Sequence, residues 1–228
     1  MVPSVDKKRT MERTSSKGPP LKRIRTILSS LPHRLQASDD ENDTQTGETS
    51  PQEYLMEILK SKGSVITISS SLEVEGFFAA PTEEEISAYG HDVLTAVRTR
   101  DIKKLREYHR NGRPLKCSNK FGESLLHLAC RRGFVDVVTF LIKEAGVTVR
   151  VIDDYGRTPL HDVCWTCEPN FELFELIMTA CTDLLFMKDR RGHTPLDYAR
   201  REHWGAYVKF LDERQELFCK GHNVSVVG

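Results

Sequence analysis

The densest run of reactive side chains in the chain is His161-Asp162-Val163-Cys164-Trp165-Thr166-Cys167. As His-x2-Cys-x2-Cys it holds the residue types of a zinc site, with His127 and Cys130 as further ligands in an upstream segment. As His, Asp and Cys in close sequence it holds the types of a thiol nucleophile and its base. The spacing disfavours both. On one helix, residues 161, 164 and 167 do not converge on a tetrahedral centre unless Cys167 leaves the helix. No stretch gathers nucleophile, base and oxyanion donors, and no Gly-x4-Gly-Lys phosphate loop is present. The sequence therefore predicts no metal ligand, no cofactor and no catalytic residue: it reads as a non-enzyme in which these groups pack.

What positions them is a repeated unit. Asp153-Asp154-Tyr155-Gly156-Arg157-Thr158-Pro159-Leu160-His161 has weaker copies at Asn119-Lys120-Phe121-Gly122-Glu123-Ser124-Leu125-Leu126-His127 and Asp189-Arg190-Arg191-Gly192-His193-Thr194-Pro195-Leu196-Asp197. The glycines at 122, 156 and 192 lie 34 and 36 residues apart. Asp or Asn followed three residues later by Gly is turn composition, because Gly supplies a positive φ. Ser124, Thr158 and Thr194 then stand where a helix N-cap belongs, and Pro159 and Pro195 at the first helical position. Turn, cap, proline and apolar run recurring at this period predict an array in which one supersecondary unit stacks on the next.

The wording of these copies resembles the D-x-x-G-x-T-P-L-H signature of the ankyrin family. The resemblance implies an all-α fold, an ankyrin-repeat solenoid of stacked helix pairs with short hairpin loops. It also implies that His127 and His161 tie repeats together through backbone hydrogen bonds, and that Cys130 and Cys164 fill a small apolar site. Four repeats are expected within 82–218, at 82–118, 119–152, 153–188 and 189–218. The first lacks the Thr-Pro-Leu-His head. The third has Trp165–Asn170 in place of a short inter-helix turn. The fourth carries Arg200 where earlier copies have Ala or Cys, a polar substitution that suits a terminal cap.

Before this domain the composition changes. Zero net charge conceals +7 over residues 1–35, −10 over 36–90 and +3 over 91–228. Residues 1–50 hold Pro, Ser, Thr and charge without a sustained period, and are expected to be a disordered arm, basic then acidic. Within it Lys7, Lys8, Arg9 and Lys22, Arg23, Arg25 form two basic clusters similar to a bipartite nuclear-import signal. Residues 51–81 are expected to be a linker. It includes a possible short helix after the capping box Ser50-Pro51-Gln52-Glu53, which could dock on the repeats or enter a partner's groove. Thr82-Glu83-Glu84-Glu85 is a second capping box, and helical spacing continues to Thr99. Residues 219–228 are expected to be a flexible tail. No apolar run approaches the roughly 20 residues that span a bilayer. Six cysteines without a secretion signal imply free thiols inside the cell, in nucleus or cytoplasm.

Carried over position by position, the family's concave groove gives the expected binding residues. They are Lys120, Phe121, Glu123, Arg131 and Arg132 in the second repeat, and Asp154, Tyr155, Arg157, Trp165 and Thr166 in the third. Arg190, Arg191, His193 and Arg201 come from the fourth. Seven of these fourteen are Lys or Arg and three are aromatic, the residue types that anchor protein interfaces. The expected function is that of a monomeric, non-catalytic adaptor for another protein with an acidic peptide or acidic surface. The alternative is a nuclear regulator contacting nucleic acid through the basic arm.

Overall fold

The structure, a computed structural model, describes residues 49–219 apart from Val65. The two basic clusters, residues 1–48 of the arm and residues 220–228 of the tail lie outside the described residues.

Three hairpins repeat the same hydrogen bonds. In each, the first residue's N–H donates to a carbonyl four residues on: Asn119 to Glu123, Asp153 to Arg157 and Asp189 to His193, at 2.9–3.0 Å. In each, the first residue's side chain also accepts two backbone N–H groups within its own turn. Asp153 Oδ1 takes those of Tyr155 and Arg157 at 3.0 and 2.9 Å, while Asn119 and Asp189 do the same. Gly122, Gly156 and Gly192 sit at φ +78°, +75° and +84°, the left-handed region that other residues resist. Neighbouring hairpins are joined as well. Asp154 N–H donates to Phe121 O and Arg190 N–H to Tyr155 O, both at 2.8 Å.

Each hairpin feeds a helix pair. α1 (Pro51–Ser61) and α2 (Glu83–Ala88) precede the pairs α3 (His91–Arg98) with α4 (Ile102–Arg110), and α5 (Leu125–Arg131) with α6 (Val135–Thr139). α6 continues as a π-helical turn, Phe140–Glu144. Then come α7 (Pro159–Cys164) with α8 (Phe171–Ala180), and a 3-10 turn, Pro195–Tyr198, with α9 (Trp204–Glu213). Inner helices α5 and α7 are buried along nearly their whole length, and with Leu105, Leu141, Phe174 and Leu211 they form one continuous core. Stacking supplies what no single pair has, a partner for its apolar face.

Two elements differ from the sequence expectation. Helical spacing from Glu83 to Thr99 suggests one helix, but the chain breaks at Tyr89 and Gly90 into α2 and α3. A Cβ on Gly90 would lie 2.9 Å from an Arg113 guanidinium nitrogen, and that guanidinium holds the Asp92 carboxylate and the Ala88 carbonyl. The break makes room for this bridge. In the fourth repeat the inner helix is a single 3-10 turn, after which Ala199 and Arg200 are extended. Arg200 thus leaves the helix and reaches Cys167 Sγ at 3.2 Å.

Residues 51–81 are more than a spacer. α1 forms behind its capping box, with Ser50 as the cap, and buries Leu55, Ile58 and Leu59. It packs on α9 and on Pro195–Tyr198, at the last repeat. Tyr54 Oη donates to Asp212 at 3.1 Å, and Thr194 Oγ1 donates to Gln52 Oε1 at 2.7 Å. From there the chain returns along the hairpins as a strap. β1 (Ser69–Ser70) pairs in parallel with β2 (Met187–Lys188). Ser71 Oγ donates to Gly156 O at 2.6 Å, and Arg150 stacks 4.6 Å from the Phe77 ring centre. Ala79 and Pro81 share a small cleft with Gly122, Val147 and Ile152.

Candidate functional site

The hairpins and inner helices bring most of the expected binding residues into contact with one another. Phe121 and Tyr155 occupy the same place in consecutive hairpins, and both rings are exposed. Lys120 Nζ lies 5.0 Å from the Phe121 ring centre, and the guanidiniums of Arg157 and Arg190 lie 5.2 and 5.9 Å from that of Tyr155. Trp165, also exposed, meets the Tyr198 ring edge-on at 5.5 Å, and Tyr198 meets the rings of His161 and His193. Tyr198 was not legible as a site residue. It reads as apolar spacing, yet its hydroxyl donates to Asp189 and so joins the aromatic row to the hairpin of the fourth repeat.

Among the expected cations, Arg131 and Arg157 are held by acids of the chain itself. Arg131 donates to Glu123 at 2.6 Å and pairs with Asp162 at 3.3 Å. Arg157 clasps Asp153 Oδ2 through Nε and Nη2, at 2.8 and 2.6 Å. The Arg131–Asp162 pair links the second repeat to the third, Arg157–Asp153 closes its own hairpin, and Arg131 absorbs Glu123 as well. Asp162 is buried, which pushes its carboxyl above the ordinary value, while the adjacent Arg131 and Arg157 pull against that shift. Lys120, Arg132, Arg190 and Arg191 remain exposed with no acid paired to them among the described residues. Asp154 is the exposed acid among them. Thr166 Oγ1 faces its own loop, within 2.9 Å of Val163 O and 2.7 Å of Glu168 O, and Arg201 lies over the Trp204 ring.

His127, His161 and the buried cysteines serve packing, while Cys167 lies past the end of α7 and is exposed. His127 Nε2 lies 2.9 Å from Arg157 O, and His161 Nε2 3.2 Å from His193 O, each joining one repeat to the next hairpin. Burial raises the thiols of Cys130 and Cys164 well above their usual range and that of Cys117 to about 12, so these remain protonated, poor nucleophiles. Among the described residues no three His, Cys, Asp or Glu side chains come together as a metal site. Nor is any helix there long and apolar enough to cross a membrane.

A second residue that sequence reasoning missed is Leu72, in the strap. It is 46% exposed and lies against Gly156 in the hairpin of the third repeat. Its only sequence signal is a leucine among serines and glutamates.

A family model described as ankyrin repeats, in three copies, matches residues 94–181. Among curated proteins, diacylglycerol kinase iota of Mus musculus is 29% identical over 142 residues, 61% of this chain and 13% of that protein. SMC5-SMC6 complex localization factor protein 1 of Bos taurus is 33% identical over 79 residues, 35% of this chain and 7% of that protein. Putative glutaminase 2 of Caenorhabditis elegans is 31% identical over 70 residues, 31% of this chain and 12% of that protein. The similarity thus covers a small part of each relative.

Proposed function

We propose, from the ankyrin repeats that residues 94–181 carry, that this chain is a non-catalytic module that binds another protein through an acidic segment. The docking face is the row of hairpin tips and inner-helix ends. The observation that carries this reading is a charge imbalance. Glu123, Asp153 and Asp162 are all paired within the chain, to Arg131 and Arg157. Lys120, Arg132, Arg190 and Arg191 are left exposed, Lys120 beside exposed Phe121 and Arg190 beside exposed Tyr155, with Trp165 exposed as well. Uncompensated cations next to rigid aromatic side chains suit carboxylates and an apolar anchor on the partner.

The test must spare Arg157, because its guanidinium holds its own hairpin closed. The triple variant Trp165→Ala, Arg190→Glu, Arg191→Glu changes side chains that the fold leaves exposed. Proteins captured from the source cell by the wild-type chain are compared with those captured by the variant. Acidic proteins should be captured by the wild type and lost with the variant, at a melting temperature within a few degrees of the original. An unchanged set of captured proteins refutes the assignment.

A further inference from the structure

We propose that the strap is part of the partner-binding surface, with Leu72 as the apolar anchor point for an extended acidic segment. This rests on the function proposed above and adds where the segment's hydrophobic side chain seats. Among the described residues the exposed large apolar side chains are Leu72, Phe121, Tyr155 and Trp165. Clustered apolar exposure marks an interaction surface more than scattered exposure does. Three of the four belong to one edge. The hydrogen bond from Asp154 N–H to Phe121 O sets the tips bearing Phe121 and Tyr155 side by side. Leu72 adjoins the same row, since a Cβ on Gly156 would lie 3.2 Å from Leu72 Cγ.

The fold does not require a leucine there. Leu72 stands at the apex of a turn that Glu73 N–H closes on Ser70 O at 3.0 Å. Turn apices ordinarily take Gly, Asn, Asp or Ser. The anchoring is done by its neighbour: Ser71 is buried and donates to Gly156 O. Leu72 is held out of the core by a turn that any small polar residue would make as well.

Charge selects the ligand. Lys120 flanks Phe121, and Arg190, with exposed Arg191 next to it in the chain, comes to Tyr155 from the following hairpin. Glu73 and Asp154 interrupt the row, so a partner's carboxylates are directed to its two cationic ends. An apolar side chain between those carboxylates meets Leu72 and Tyr155.

The test uses the full chain and a fluorescent synthetic peptide, Asp-Glu-Asp-Leu-Phe-Asp-Glu-Asp, read by anisotropy, with a counterpart in which every acid is Lys. Wild type should bind the acidic peptide and ignore the basic one. Leu72→Ser should weaken binding about tenfold, with an unchanged melting temperature, and Leu72→Met should restore it. Unchanged affinity in Leu72→Ser, alongside a loss in Arg190→Glu/Arg191→Glu, overturns the strap's role and leaves the proposed function standing. No binding of the acidic peptide, or equal binding of the basic one, overturns both.

Discussion

His161 shows how a residue of catalytic type becomes a structural one. Its Nδ1 accepts the Thr158 backbone N–H at 3.0 Å, so the ring proton sits on Nε2 and points at His193 O. Burial, and not its neighbours, dominates its titration and lowers its pKa from 6.5 to about 4. The folded chain then refuses a proton that the unfolded chain accepts. Stability is whole above pH 6.5 and falls between 6.5 and about 4, by roughly 3 kcal/mol from this ring. Urea midpoints measured across that range should decline with acidification; a flat profile would show that the imidazole titrates freely. Arg157 makes the converse point. Its position suggests a partner-facing cation, and its chemistry does not contradict that. Only the fold shows Asp153 already filling its guanidinium fork.

At the scale of elements, the hairpin glycines separate backbone strain from contact. Gly192 and Gly156 have similar positive φ, but a Cβ on Gly192 meets nothing within 4 Å. A Cβ on Gly156 would lie 2.5 Å from Ser71 Oγ. Gly192→Ala should therefore cost about 1–2 kcal/mol, the left-handed strain alone. Gly156→Ala should cost more and free the strap, visible as faster amide exchange at Ser71. Equal costs for the two variants, with Ser71 protection intact, would mean that the strap is not seated on the hairpin of the third repeat. The hairpins and inner helices were legible because their grammar is local: an Asx turn, a left-handed glycine, a cap and a proline. The break at Gly90 was not, because its cause, Arg113, lies beyond the next two helices.

At the scale of the folded unit, the end of the stack is closed by a helix from the other end of the sequence. A terminal repeat must show water a polar face or borrow a cover. Arg200 suggests the first solution, and α1 supplies the second by burying Leu55, Ile58 and Leu59 on α9 and its neighbour. Leu59 is 1% exposed, so Leu59→Ala should cost about 2–5 kcal/mol. The loss should fall first on α9, whose amides should exchange faster while those of α5 keep their protection. Uniform loss across the repeats would show that the stack opens as one unit. Sequence by itself determined the repeat, its period, its caps and the identity of most exposed side chains, because each follows from neighbours a few residues apart. Tertiary structure alone decided which cations are left without an acid of this chain, where residues 51–81 lie, and that Leu72 stands against Gly156. Those depend on pairings across tens of residues, and no local pattern in the chain encodes them.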